Sequence, residues 1–119
     1  MRRIVALLSV VAILFAASMH VMAASESYGN ATANLSFSGT TATCKLNVVA
    51  SNMSYPIEAS VKLMHGSTVV AQWSNMTSNG YMFFSDTASV VSGYTYTMKI
   101  TLKINGVSYD IADITKTCP

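Results

Sequence analysis

A run near the C-terminal end narrows the fold more than any other part of the chain. Tyr96, Met98, Ile100, Leu102 and Ile104 alternate with Thr97, Lys99, Thr101 and Lys103. A period of two puts the apolar set on one face of a β-strand and the polar set on the other. The run ends in Asn105-Gly106, a pair that accepts positive φ at both positions and so favours a type I′ hairpin turn. Val107, Tyr109 and Ile111 return along the same inner face. That register sets Lys103 opposite Ser108 and Thr101 opposite Asp110, with Asp110 diagonally between Lys99 and Lys103. A phase break near Ala112-Asp113 predicts a bulge.

The same alternation recurs upstream. Ala33, Leu35 and Phe37 alternate with polar residues, and Gly39-Thr40 makes a turn. Ala42, Cys44, Leu46 and Val48 form a second set, followed by a loop over residues 51–56. Ile57, Ala59, Val61 and Leu63 form a third, Gly66-Ser67 a tight turn, and Val69, Ala71 and Trp73 a fourth set in one phase. Residues 75–80 read as a loop. Residues 81–85 read as a short aromatic strand without a definite phase. No part of residues 24–119 shows a helical period. Short strands at regular spacing predict an all-β fold, an antiparallel sandwich of about seven strands over residues 31–119. Residues 24–30 are a small, polar, flexible lead-in.

The first 23 residues differ from the rest. Arg2 and Arg3 precede an apolar run over residues 4–17, and small residues follow, with Val21 and Ala23 at the −3 and −1 places of a cleavage site. This is the layout of a secretory signal peptide, a helix removed after Ala23 or Ala24. Ser18 and His20 interrupt the run before it reaches the roughly 20 apolar residues a membrane span needs. The predicted location is secreted and extracellular, or periplasmic in a Gram-negative source. Cleavage removes both arginines. Of the 7 Lys and Arg residues, Lys45, Lys62, Lys99, Lys103 and Lys116 remain, against 5 Asp and Glu residues. The mature part is therefore neutral. It has no basic stripe for phosphates and no basic amphipathic face, which argues against nucleic-acid partners and against stable membrane insertion.

The 2 cysteines, Cys44 and Cys118, both lie in the mature part. An even count in an exported chain predicts one disulfide, here closing a loop of roughly 75 residues. Their separation rules out a Cys-x-x-Cys redox pair.

The stretch VVSGYTYTMKI, residues 90–100, resembles the entry to the F strand of immunoglobulin-like and fibronectin-III-like domains. There a Gly turn precedes a Tyr-x-aliphatic strand. The resemblance implies a tyrosine corner at Tyr96, with Tyr94 as the alternate, the hydroxyl bonding back to nearby backbone. Two features depart from the antibody pattern: Cys118 ends the last strand, and Trp73 falls in the fourth. The chain is more similar to small secreted β-sandwich proteins of Gram-positive gut bacteria, whose functions are uncharacterised.

Little in the sequence supports catalysis. His65 adjoins a turn and has no nucleophile motif beside it. Glu58 and Asp86 are the only carboxylates considered as a facing pair. One mature His, scattered carboxylates and paired cysteines make no metal set, and no Gly-rich phosphate loop occurs. Neither an enzyme nor a cofactor is expected. Asn30, Asn34, Asn52 and Asn75 begin N-x-S/T triplets, glycan acceptors in a eukaryotic secreted protein; a Ser- and Thr-rich composition generates roughly two by coincidence, and coincidence in a bacterial protein is the expected reading.

The expected function is that of an exported, non-catalytic binding module for a cell-surface or cell-wall glycan or a protein. Tyr94, Trp73, Tyr81 and Tyr55 are the candidate ligand contacts. Core burial is the competing place for Trp73. Two other functions are an assembly subunit joining through sheet edges and a small hydrolase or inhibitor.

Overall fold

The computed structural model describes residues 28–119; the expected leader and most of the lead-in lie outside them. Eight strands make two antiparallel sheets. They are β1 (Gly29–Ser38), β2 (Thr41–Ala50), β3 (Pro56–His65), β4 (Thr68–Asn79), β5 (Tyr81–Ser89), β6 (Thr95–Ile104), β7 (Val107–Tyr109) and β8 (Ile114–Thr117). The smaller sheet has the order β1-β2-β5. The larger has the order β4-β3-β6-β7, with β8 also on β6. Among the described residues no helix is long and apolar enough to cross a membrane.

The inner faces follow the alternation. β2 contributes Ala42, Cys44, Leu46, Val48 and Ala50, and β3 contributes Ile57, Ala59, Val61 and Leu63. β6 adds Tyr96, Met98, Ile100, Leu102 and Ile104. No polar or charged residue is buried among the described residues. The hairpin at Asn105-Gly106 closes with φ of 54° and 78°, both positive as a type I′ turn requires. Gly29 starts β1 where the chains run too close for a side chain, since a Cβ there would lie 2.4 Å from the Val49 carbonyl oxygen.

Three sequence expectations change. First, the last strand is two strands. β7 leaves β6 after Tyr109, residues 110–113 cross over, and β8 rejoins β6 at Met98 opposite Ile114. Lys103 does face Ser108, but Asp110 lies beyond the ladder. Lys99 pairs instead with Asp113, at 2.9 Å. That exposed pair contributes at most about 1 kcal/mol, yet it offsets the like charges of Lys62 and Lys99, which face each other across β3 and β6.

Second, residues 75–79 are strand rather than loop. The pairing advances from Ala59–Met76 to Val61–Trp73, so β4 holds one extra residue there. Asn75 absorbs it with φ of 57°, and its N–H donates to Ser60 Oγ at 3.1 Å. This bulge lets Trp73 and Met76 both pack on the core. A second bulge, between Ala71 and Val69, turns Val69 out to solvent. Third, β5 runs on to Ser89, and its phase is now defined: Met82 is buried while Tyr81 and Phe83 face outward.

Leu46 is fully buried at the middle of β2, and Asn47 beside it faces solvent. Leu46→Ala is expected to cost about 3 kcal/mol and to lower Tm by roughly 10–20 °C. Asn47→Ala is expected to stay within about 0.5 kcal/mol. Thermal unfolding of both variants checks the facing of β2; equal losses would contradict it.

Candidate functional site

The aromatic residues divide by what covers each ring. Tyr96 is buried, and its hydroxyl accepts a hydrogen bond from Val91 N–H at 2.8 Å, so it holds the turn before its own strand. Tyr94 is exposed, but one face stacks on His65 at 4.3 Å and 14°. His65 is therefore half of an aromatic pair at the β3–β4 end. Tyr55 is half-buried and meets Tyr28 edge-on at 5.5 Å.

Trp73 is half-buried and spans the two sheets. Its ring meets Phe84 of β5 edge-on at 5.3 Å, and its Nε1–H donates to Asp86 Oδ2 at 2.9 Å. β4 and β5 are the edge strands on this side of the sandwich, so the contact closes the seam between sheets. Asp86 shares the inner phase of its strand and stands opposite Cys44. Glu58 lies on the outer face of the other sheet, opposite Lys103. The two carboxylates are on different faces and do not converge. Among the described residues no group of three His, Cys, Asp or Glu side chains is placed to hold a metal ion.

Tyr81 and Phe83 are different. They stand two apart on the outer face of β5, with ring centroids 5.2 Å apart and planes within 25°. Phe83 is 66% exposed and Tyr81 49%. Val49 lies opposite Tyr81 on β2 and is half exposed. Met53, 64% exposed, reaches over Gly80 just before Tyr81. Tyr81, Phe83 and Val49 thus share one outer surface of the small sheet, with Met53 exposed at the Gly80 end of β5. Clustered apolar exposure of this kind marks contact sites, whereas scattered single residues do not. Only Tyr81 was expected here. Phe83 was hidden because residues 81–84 (Tyr-Met-Phe-Phe) are all apolar and carry no alternation. The deciding signal is cross-strand: Met82 pairs with inward Val48, and Phe83 with outward Asn47.

The expected disulfide is absent. Cys44 and Cys118 are both buried free thiols. Cys118 follows β8, and its thiol lies 3.4 Å from the Gly39 carbonyl oxygen at the β1–β2 turn, whereas Cys44 is packed inside β2 opposite Leu35. Cys118 is tied down without a bridge, because its N–H donates to the Tyr94 carbonyl and its carbonyl accepts from Gly93 N–H. Backbone bonds thus supply the tether expected of the disulfide. Burial, and then the charge of Asp86, push the Cys44 thiol up to about 11. The asparagines of the N-x-S/T triplets also differ. Asn52 Oδ1 accepts from Ser54 N–H and Oγ–H, and Asn34 Oδ1 is buried without a partner among the described residues.

A thiol whose pKa is raised on folding keeps its proton in the native state while the unfolded chain loses it. The stability is complete below the unfolded pKa near 9.0 and is lost as pH rises towards about 11. The loss attributable to Cys44 should reach about 3 kcal/mol, and Cys44→Ala should flatten that part of the profile. Denaturant melts across pH 8–11 on both proteins measure it. Thiol titration of the unfolded, unreduced chain should find two thiols; none would restore the bridge.

No protein-family model matches the chain, and no curated protein matches it.

Proposed function

We propose that this protein is an exported, non-catalytic binding module of immunoglobulin-like build, released from a signal peptide at Ala23 or Ala24. Its principal contact surface is the outer face of the β1-β2-β5 sheet. The observation carrying this reading is the stacked, solvent-facing Tyr81–Phe83 pair, with exposed Val49 opposite Tyr81. Two rings held parallel on a rigid strand lose little conformational freedom on binding, and exposed aromatics supply most of the energy in small interfaces. The surrounding face is polar, with Asn30, Thr32 and Asn47 beside one charge at Lys45, which suits a glycan of the cell surface or cell wall. Trp73 and Tyr55 are half-buried, and Tyr94 has one face covered by His65, so each is expected to contribute less than the Tyr81–Phe83 pair.

Assembly through a sheet edge is the second reading, favoured by β1. That strand pairs with β2 over ten positions without a bulge, and β2 is its only ladder partner among the described residues. Size exclusion at rising concentration separates the two, because only assembly predicts growing oligomers.

Retention of the protein on insoluble cell-wall polysaccharide tests the binding face. Tyr81→Ser with Phe83→Ser should reduce retention at least about tenfold and leave Tm nearly unchanged, as both side chains are solvent-facing. Retention that survives this double change would remove the aromatic face as the contact surface.

A further inference from the structure

The outer face of the five-stranded sheet holds a groove of about 460 Å³, within the range of small-ligand clefts. It stands on the opposite side of the sandwich from Tyr81 and Phe83 and is independent of them. One ladder row crosses it: Thr77, Glu58, Lys103 and Ser108 are consecutive cross-strand partners on β4, β3, β6 and β7. Ser60 and Thr101 face each other in the next row. Asn75 at the β4 bulge and Asp110 at the start of the crossover complete the two ends. Four neighbouring strands, about 4.8 Å apart, thus present hydroxyl, carboxylate, ammonium and amide groups on one surface.

Glu58 and Lys103 stand directly opposite each other, so a carboxylate and an ammonium line the groove from neighbouring strands. Asn75 is held in the left-handed region by the β4 bulge, a conformation that asparagine tolerates better than most non-glycine residues. Ser60 fixes it there through the Asn75 N–H.

We propose that this groove binds a short neutral oligosaccharide. Vicinal hydroxyls donate and accept together, and the groove offers acceptors at Glu58 and Asp110, a donor at Lys103, and dual groups at Thr77, Thr101 and Ser108. Two carboxylates against one ammonium disfavour phosphate and other polyanions. The one aromatic residue in the lining, Tyr109, is almost fully buried, so a flat aromatic ligand has no exposed ring to stack on.

Isotope-labelled protein titrated with maltotriose, cellotriose and tri-N-acetylchitotriose, each to about 10 mM, tests the site by amide shift changes. With at least one probe, shifts should cluster at Ser60, Thr101, Lys103 and Ser108. Lys103→Met should weaken that probe about tenfold, and Thr101→Phe, which fills the floor of the groove, should abolish its binding. The Tyr81 and Phe83 amides should stay unchanged throughout. Silence with all three probes, shifts confined to Tyr81 and Phe83, or binding indifferent to Thr101→Phe would each overturn the proposal.

Discussion

Every second side chain along β2, β3 and β6 is apolar and closed to water, and the rest of the molecule is arranged around that requirement. These are the inner strands of their sheets, and each pairs on both sides. A shift by one residue in any of them would exchange the buried set for the solvated one. Register is therefore held most firmly at the centre. The polar outer faces are free to carry hydroxyls, amides and a few charges because they take no part in that constraint.

The constraint weakens towards the edges, and structure and sequence part company there. Residues 96–109 could be read for phase, turn and the Lys103–Ser108 pairing, because β6, with paired neighbours on both sides, must alternate strictly, whereas Asp110 and Ile111 lie beyond the ladder. β4 has a neighbour only in β3, so it accommodates two extra residues. The bulge at Asn75 brings Trp73 and Met76 onto the same face, a spacing of three that no period-two reading predicts. β5 hides its phase for another reason: its first four residues are all apolar, and only their partners on β2 distinguish inward from outward. The crossover at residues 110–113 resembles a phase slip in one dimension and is a change of strand in three.

The candidate contact surfaces follow the same division. Tyr81 could be named from the sequence; Phe83 and Val49 could not, because their place beside it depends on the β2–β5 pairing. Trp73 drew attention as the lone indole. Its Nε1–H is bonded to Asp86 and its ring leans on Phe84, so it fastens the two sheets along an open seam. Asp86 has three effects there. It holds the indole, raises the Cys44 thiol, and accepts a hydrogen bond from Thr87 N–H on the edge strand.

The four borders of the two sheets are unlike one another. β4 is bent by two bulges, β7 and β8 are three and four residues long, and β5 carries Asp86 at its rim. Bends, short strands and rim charges each discourage another chain from pairing. β1 and β5 are both long and regular, pairing with β2 over ten and nine positions without a bulge, and the Lys116 ammonium sits on the Leu35 carbonyl of β1. In the language of polymers, the small sheet has a valence of two. Pairing along β1 alone would end at two copies, whereas pairing along both borders would propagate, and the Asp86 carboxylate on the β5 rim weighs against the second.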